Sequence, residues 1–234
     1  MERLNEKKIN AIIYFNNLIL NELRLNGINC WIAGGCLRDY FNGKSTSSDC
    51  DIFFKNLNSF NKAVNYFKSN GAEIIWESGN AIKVKYKGNV YDLIKIFFKT
   101  PNETINNFDL TICMFATDGH KIYHGKTSFS DLKDKKIVLY RVSKPFSTLK
   151  RVLKHYKKGF NMSSEETKNL YKYIYSIKYD DELNINGSSG ENLINISKNI
   201  KSDGFFNTYK NLIFISLGLI TIYGSYKILK KWKK

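Results

Sequence analysis

The chain has 234 residues, of which 43% are hydrophobic and 15% aromatic, and it carries a formal net charge of +16 from 37 basic and 21 acidic residues. This length and hydrophobic content indicate a folded protein with one substantial core and exclude a largely disordered chain. The positive charge favours a polyanionic partner such as RNA, DNA or an anionic membrane, although a generally lysine-rich composition would produce the same charge.

The cysteines and histidines bear on the compartment and on metal binding. Four cysteines occur in apolar stretches and show no CxxC pair or other zinc-ligand spacing: Cys30, Cys36, Cys50 and Cys113. They predict buried thiols in a reducing, cytoplasmic compartment rather than a disulfide framework. The three histidines form no ligand cluster in the sequence. The charged N-terminus MERLNEKKIN does not resemble a signal peptide.

Helices and strands alternate in the first third of the chain. Apolar residues at helical spacing predict a helix over residues 4–25 that ends at Gly27. The strand CWIA, the helix CLRDYF and the strand DCDIFF follow, and Gly43 marks the end of that helix. Residues 59–69 predict a further helix that packs through its phenylalanines.

A region rich in β-forming residues comes next. The runs AEIIWES, AIKVKYK and NVYDLIKIFF are separated by Gly79-Asn80 and by Gly88-Asn89, which are both hairpin signals. Beyond a polar segment at 101–107, the runs DLTICMFAT, KIYH and IVLYR predict shorter strands. The sequence therefore predicts an α+β fold in which a mixed sheet packs against flanking helices.

The composition changes along the chain and suggests four parts. Residues 1–142 form the predicted α+β head, and residues 143–178 form a basic helical extension that resembles a neck. Residues 179–204 are rich in Gly, Ser and Asn and are interpreted as a linker. Residues 205–234 contain the uncharged run NLIFISLGLITIYGSY between lysines, which predicts a C-terminal membrane anchor. A helix packed on the head, or lying flat on a membrane, is the alternative.

The segment CWIAGGCLRDYFNGKSTSSDCDIFF contains the residues with the clearest chemistry. Asp49 and Asp51 occupy alternate strand positions, so their side chains project together while Cys50 points into the interior. Two adjacent carboxylates repel and are costly to desolvate unless a cation lies between them, and oxygen ligands of this kind suit Mg²⁺. Gly34-Gly35 ends one strand and opens a helix, which predicts a phosphate site.

The glycine, Arg-Asp and aspartate pairs together resemble a known pattern, GG-x-x-R-D, a short loop and D-x-D. This pattern belongs to the head domain of the tRNA CCA-adding enzyme and bacterial poly(A) polymerase family, within the polymerase-β-like nucleotidyltransferases. The resemblance implies an enzyme that uses two Mg²⁺ ions and a nucleoside triphosphate, ATP or CTP. It also implies nucleotide contacts for Gly34, Gly35, Arg38 and Asp39. Alternatively, the aspartates cap a turn and the glycine pair merely closes a tight corner.

Two later segments extend the resemblance. Asp92 follows the D-x-D strand in the order in which polymerase-β-like enzymes supply a third carboxylate, which implies a third metal ligand; a strand-end aspartate bonded to a turn is the alternative. The run NFDLTICMFATDG resembles the family motif R-R-D-F-T-I-N-A. Asp109 and Thr111 match this motif and are implied nucleotide ligands, whereas Asn107-Phe108 replaces the arginine pair. Alternatively, Asp109 caps the N-terminus of a strand.

The base-selecting signature of tRNA-specific members, E-D-x-x-R, has no counterpart in the basic helix KPFSTLKRVLKHYKKGF. Lys150, Arg151 and Lys154 of this helix are predicted contacts for triphosphate or RNA backbone, although a solvated basic face would have the same composition. The resemblance covers about residues 28–160 and does not extend to the large helical domains that hold tRNA in the family. Addition specific to CCA is therefore not expected.

The main prediction is an Mg²⁺-dependent nucleotidyltransferase that transfers NMP from NTP to an acceptor hydroxyl, with an RNA 3′ end, such as that of tRNA, as the expected acceptor. Asp49, Asp51 and Asp92 are the expected catalytic and metal-binding residues. The head is expected in the cytoplasm, associated with a membrane through the C-terminal helix. The alternative is a non-catalytic nucleotide- or RNA-binding module tethered to a membrane. The oligomeric state is left open.

Overall fold

The computed structural model describes residues 2–43 and 49–175. The chain divides into two compact units, Met1–Ile174 and Tyr175–Lys234. The predicted linker and the predicted C-terminal anchor, from residue 179 onward, lie outside the described residues. Within the described ranges, no helix is both long enough and apolar enough to cross a membrane.

The helices confirm most of the predicted pattern. The predicted N-terminal helix runs without a break from Glu2 to Leu25. Its middle turn, Asn16–Leu20, is π-helical and separates two α-helical parts, α1 and α2. Asn56 caps α4 by accepting a hydrogen bond from the Ser59 amide, as short polar side chains do at helix N-termini. The bounds are α1 (Glu2–Phe15), α2 (Asn21–Leu25), α3 (Gly35–Phe41), α4 (Leu57–Ser69), α5 (Pro101–Ile105), α6 (Ser128–Lys133), α7 (Pro145–Tyr156) and α8 (Ser164–Tyr175).

A mixed sheet in the order β3-β4-β5-β2-β1-β6-β7 forms the centre of the described fold. Strands β2 and β5 are parallel, and the other neighbours in this sheet are antiparallel. A separate parallel pair, β8-β9, lies outside it. The strands are β1 (Cys30–Ala33), β2 (Cys50–Phe54), β3 (Glu73–Glu77), β4 (Ala81–Tyr86), β5 (Asn89–Phe97), β6 (Phe115–Thr117), β7 (Ile122–His124), β8 (Lys136–Ile137) and β9 (Asn161–Met162).

The two faces of this sheet are covered differently. On one face, aromatic side chains of α4 pack on the central strands; Phe67, for example, lies against Tyr86 and Tyr91 with ring centroids 5.3 and 5.8 Å apart. On the other face, a smaller apolar cluster packs beneath α5, and the Trp31 indole donates a hydrogen bond of 2.9 Å to Thr104 of that helix. The second face is therefore only partly covered, and strand alternation places the aspartates of β2 and β5 there.

Three segments differ from the sequence-based prediction, and the first is the run IVLYR, of which only Ile137 lies in a strand, β8. The polar segment at 101–107 contains helix α5, which Thr100 caps by accepting a hydrogen bond from the Glu103 amide. Only the last three residues of the run DLTICMFAT form a strand, since residues 111–113 form a 3₁₀ turn. The prediction of a strand through Asp109 and Thr111 is wrong because Thr111 bonds outside the sheet, with its hydroxyl donating to Asp131 and its amide to the Val138 carbonyl.

Candidate active site

Charged side chains form a row across three neighbouring strands on the partly covered face. Asp51 of β2 lies beside Asp92 of β5 in the parallel pairing, and Asp92 lies opposite Lys83 of β4 in the antiparallel pairing. Asp49 immediately precedes β2, and Cys50 between the two aspartates is buried, as predicted. Asp49, Asp51, Asp92 and Lys83 are referred to below as the carboxylate site.

Sequence reasoning missed Lys83, although the β4-β5 hairpin carries a signal for it. The turn residues Lys87 and Gly88 both have positive φ, 48° and 78°, which fits the tight two-residue turns that join antiparallel strands. This turn pairs Tyr86 with Asn89, so three further steps along each strand bring Lys83 opposite Asp92. Counting back from the turn would therefore have placed a cation beside the carboxylate.

The ammonium group of Lys83 joins two of the three carboxylates. Its Nζ donates a hydrogen bond to Asp49 Oδ2 and another, of 3.1 Å, to Asp92 Oδ2. Burial opposes the charged form of Lys83, but the hydrogen bonds that it donates to the two aspartates outweigh this effect and raise the pKa of the ammonium. Lys83 therefore remains a cation and neutralises part of the negative charge of the site.

Asp51 lies in the least favourable environment for a carboxylate. Burial, followed by the negative charge of Asp92, raises the pKa of Asp51 to about 7, even though Lys83 acts in the opposite direction. Lys154 also favours the ionised form, so its ammonium lies within electrostatic range of Asp51. The carboxylate site thus contains more negative charge than its own lysine can compensate.

The oxygen atoms of the site fit a divalent cation in chemistry. Asp92 Oδ1 is buried and has no hydrogen-bond partner, which is costly unless a ligand satisfies it. The atoms of Asp49, Asp51 and Asp92 that could bind a metal ion are all carboxylate oxygens, the type of ligand that Mg²⁺ prefers. As the side chains stand in residues 2–43 and 49–175, no group of three His, Cys, Asp or Glu is arranged to hold a metal ion. Lys83 Nζ instead lies between Asp49 and Asp92.

The glycine pair brings bare backbone to the edge of the site. Gly34 has φ +89° and ψ −128°, a conformation that only glycine adopts readily. A Cβ atom built there would lie 3.6 Å from Asp51 Oδ2 and 3.7 Å from the Phe108 ring. Gly35 is the first residue of α3. The main chain at Gly34 therefore lies close to both the Asp51 carboxylate and the Phe108 ring.

Arg38 and Asp39 point into a different, buried cluster. Both Nε and an Nη atom of Arg38 lie 2.8 Å from Asp39 Oδ1, and Lys158 Nζ lies 3.3 Å from Asp39 Oδ2. The other Nη atom of Arg38 contacts His155 Nε2 and Cys113 Sγ, both at 3.5 Å. Burial and the positive charge of Arg38 lower the pKa of His155 to about 3, so the imidazole is neutral at physiological pH.

Asp109 also contacts the basic helix α7. Its Oδ2 accepts hydrogen bonds from Thr148 Oγ1 at 2.9 Å and from Arg151 at 2.5 Å. The two residues are three apart and so lie on one face of α7. We refer to this set of contacts, together with the Arg38-Asp39 cluster, as the α7 junction: Arg38, Asp39, Cys113 and Asp109 on the head, with Thr148, Arg151, His155 and Lys158 on or just after α7.

The predicted site residues therefore divide into several groups. Asp49, Asp51 and Asp92 come together with Gly34 at the partly covered face, whereas a Cβ atom built at Gly35 would lie 3.6 Å from the Arg38 guanidinium. The α7 junction contains Arg38, Asp39, Asp109 and Arg151, and Thr111 lies near it, bonded to Asp131. Lys150 and Lys154, four residues apart on α7, are exposed.

An exposed aromatic residue extends the row at its outer end. Trp76 of the edge strand β3 pairs with Lys83, and its side chain is 50% exposed. An irregularity between Ile74 and Trp76 shifts the register, and beyond it Glu77 pairs with the buried Ile82. Alternation thus places Trp76 on the same face as Lys83, Asp92 and Asp51.

Solved structures share this arrangement of helices and strands. The Thermotoga maritima CCA-adding enzyme complexed with tRNA matches 71% of this chain and 44% of its own, with a TM-score of 0.53 and 20% identity. A CCA-adding enzyme with CTP matches 90% of this chain and 55% of its own, with a TM-score of 0.61 and 16% identity. For a tRNA-processing enzyme complex, the match covers 86% of this chain and 57% of the other chain, with a TM-score of 0.60 and 19% identity. The fold is that of nucleotidyltransferases.

Sequence comparison identifies the family more narrowly. A family model described as "Gad2: Gabija anti-defense 2 family protein" matches residues 5–135, which is more than half of the chain. The chain therefore belongs to the Gad2 family. A comparison with curated proteins gives no match. The chain spans less than two thirds of the length of each of the three structures described above.

Proposed function

We propose that the chain is a nucleotidyltransferase that transfers NMP from an NTP, ATP or CTP, to an acceptor hydroxyl. The observation that carries this proposal is the carboxylate site: Asp51 and Asp92 are neighbours on parallel strands, Asp49 is beside them, and Asp92 Oδ1 is buried without a partner. Such a concentration of negative charge is unfavourable for folding and becomes useful when a cation and a triphosphate bind there.

The residues that would hold Mg²⁺ are Asp49, Asp51 and Asp92. When bound, Mg²⁺ supplies Lewis-acid stabilisation of the phosphoryl, attacking and leaving oxygens in an in-line displacement. Asp51 has a pKa of about 7, so the charge that attracts the cations increases as the pH rises through neutrality. Gly34 leaves the main chain without a side chain next to Asp51, which provides room for the nucleotide.

The chain's own residues favour a nucleic-acid acceptor. The net charge is +16, and Lys150 and Lys154 are exposed on α7, where they can contact phosphates. Trp76 offers a half-exposed aromatic face on the same side of the sheet as the carboxylates, on which an unpaired base can stack. Among the structural neighbours is an enzyme complexed with tRNA. We therefore propose the 3′ end of an RNA as the acceptor.

Family membership suggests the process in which this transfer takes part. The family description is Gabija anti-defense, and we propose that the chain counteracts Gabija through its carboxylate site. Cells that carry Gabija would lose protection when they express the wild-type chain and would keep it when they express the Asp49→Ala/Asp51→Ala variant. Equal loss of protection with both proteins would separate the anti-defense role from nucleotidyl transfer.

The direct test is a transfer assay with the purified full chain, Mg²⁺, labelled NTPs and total RNA. We expect label to enter RNA, and we expect the Asp49→Ala/Asp51→Ala variant to reduce the rate by about 10³-fold or more because the phosphoryl charge loses its stabilisation. Asp134→Ala is the matched control, since Asp134 is an exposed aspartate that pairs with Lys136. Absence of labelling that depends on both metal and aspartates would refute the proposed reaction.

One observation favours a second candidate, a non-catalytic nucleotide- or RNA-binding module. Lys83 already bridges Asp49 and Asp92, and a permanent bridge would keep metal ions out. On this hypothesis the chain binds RNA or NTP with the same affinity with and without Mg²⁺, and the transfer assay gives no product. Mg²⁺-dependent incorporation of label would exclude this candidate.

A further inference from the structure

We propose that Lys83 is an internal competitor of the metal ion, so that a divalent cation must displace the Lys83 ammonium from Asp49 and Asp92 in order to bind. This inference rests on the proposed function, because it concerns the same carboxylates. It assigns a specific role to a residue that lies outside the sequence motifs discussed above. It also predicts that the affinity for metal is set by an exchange of cations and not by the carboxylates alone.

The position of Lys83 follows from the backbone. Lys83 pairs with Asp92 across the antiparallel strands β4 and β5, and the tight turn at Lys87 and Gly88 fixes this register. The register cannot shift by one residue without turning the buried Ile82 and Val84 to the opposite face. Lys83 is therefore held beside the carboxylates by the same pairing that forms the sheet.

The contacts of Lys83 are those of a counter-ion. Its Nζ donates to Asp49 Oδ2 and Asp92 Oδ2, and its side chain is only 23% exposed. Carboxylates at this spacing repel one another, and the ammonium reduces that repulsion in the metal-free protein. Asp49 and Asp92 would otherwise depend on an external cation to lie this close together.

The ammonium does not complete the site, which leaves a reason for exchange. Asp51 lies beside Asp92 in the parallel pairing of β2 and β5, and Asp92 Oδ1 is buried without a hydrogen-bond partner. One positive charge thus faces three carboxyl groups, whereas Mg²⁺ carries two charges and prefers oxygen ligands. Because a lysine side chain is long and flexible, Lys83 can move aside without disturbing its strand.

The test is a Mn²⁺ titration of the full chain, followed by electron paramagnetic resonance of the free ion. Removal of the competing charge in Lys83→Met should tighten Mn²⁺ binding by about tenfold or more relative to wild type. Lys85→Met is the matched control: Lys85 lies two residues along β4, has an exposed side chain and pairs with Val90. We expect the control to change the affinity less than about twofold.

A stability measurement accompanies the titration. In EDTA, Lys83→Met should unfold at a lower temperature than wild type because the carboxylates then repel without compensation, and Mn²⁺ should restore more stability to the variant than to wild type. If Lys83→Met does not fold, Lys83→Gln removes the same charge with a polar side chain and replaces it in both measurements.

The outcomes separate this proposal from the proposed function. Tighter Mn²⁺ binding by the Lys83 variant alone supports the exchange. Equal or weaker binding by Lys83→Met, with measurable binding by wild type, overturns the exchange and leaves nucleotidyl transfer intact. If neither wild type nor any folded variant binds Mn²⁺, both the proposed exchange of the Lys83 ammonium for a metal ion and the metal-dependent reaction are overturned.

Discussion

The carboxylate site and the α7 junction use the same kinds of residue in opposite ways. In the carboxylate site, Asp51 has a strongly raised pKa and Asp92 has an unpartnered oxygen, so the negative charge exceeds what Lys83 neutralises. In the α7 junction, Asp39 and Asp109 each accept hydrogen bonds from two cationic or hydroxyl side chains. One region retains unsatisfied charge, whereas the other satisfies its carboxylates within the protein.

This difference shows which motif residues remain available for a ligand. Unsatisfied polar groups in a partly covered site indicate binding or catalysis, because folding alone does not favour them. Groups that pair across two elements instead stabilise their relative position, and at the α7 junction they hold the basic helix against the head. Asp109 in the second motif and Arg38-Asp39 in the first therefore make structural contacts between α7 and the head.

The largest expected effect comes from breaking the α7 junction at Asp39. Asp39→Asn leaves Arg38, which is 5% exposed, without its carboxylate partner, and also removes an ion pair with Lys158. Removal of one partner from a buried ion pair is strongly destabilising, so we expect the free energy of unfolding to fall by about 3 kcal/mol. Denaturant-induced unfolding, followed by circular dichroism, measures the change.

Asp134→Asn provides the control for that measurement. Asp134 pairs with Lys136 at 3.1 Å, but both side chains are well exposed, so the loss should be below about 0.5 kcal/mol. If Asp39→Asn costs no more than this control, Asp39 does not compensate the buried Arg38 charge, and the contrast between the two regions fails.

Much of the carboxylate site follows from local rules. Alternation along a strand puts Asp49 and Asp51 on one side and Cys50 in the interior, and the structure confirms the burial of Cys50. The hairpin signal between β4 and β5 is also local, and it fixes the partner of Asp92 once the turn residues are placed correctly. Lys83 was therefore predictable, but only if the turn is placed at Lys87-Gly88 and not, as in the sequence analysis, at Gly88-Asn89.

The α7 junction was not predictable in this way. Its contacts join residues far apart in the sequence, such as Arg38 with His155 and Asp109 with Arg151, and they depend on how α7 packs on the head. No pattern of spacing within one segment contains that information. The same limitation explains the strand wrongly predicted through Thr111, because its partner Asp131 comes from α6, twenty residues later.

A smaller effect is expected at Trp76, where we propose that an RNA acceptor contacts the row of charged residues. Trp76→Ala should weaken binding of single-stranded RNA by about tenfold, since one base stacked on an aromatic side chain contributes about 1–3 kcal/mol. Ile75→Ala is the matched control on the same strand, because Ile75 is 47% exposed and is the unpaired residue at the register shift. Fluorescence anisotropy with a labelled oligonucleotide gives both affinities.

That comparison has a clear negative outcome. If Trp76→Ala and Ile75→Ala bind RNA as wild type does, the acceptor does not pass over the outer end of the row. The basic face of α7, with Lys150 and Lys154, would then be the remaining candidate surface among the described residues. Loss of binding in both variants would instead indicate damage to β3.

The smallest effect concerns the unsatisfied charge itself. The pKa of Asp51 is raised from an ordinary value of 3.8 to about 7, so the folded state loses stability as the pH rises between these two values and regains none of it above them. Asp51→Asn removes the ionisation. In EDTA at pH 8 we expect the variant to be about 1 kcal/mol more stable than wild type, allowing for relaxation by Lys83 and solvent, and we expect this advantage to shrink as the pH falls below about 7 and to disappear below about pH 4. Thermal unfolding across this pH range measures it. A variant less stable than wild type at pH 8 would show that the carboxylate is satisfied, as those of the α7 junction are.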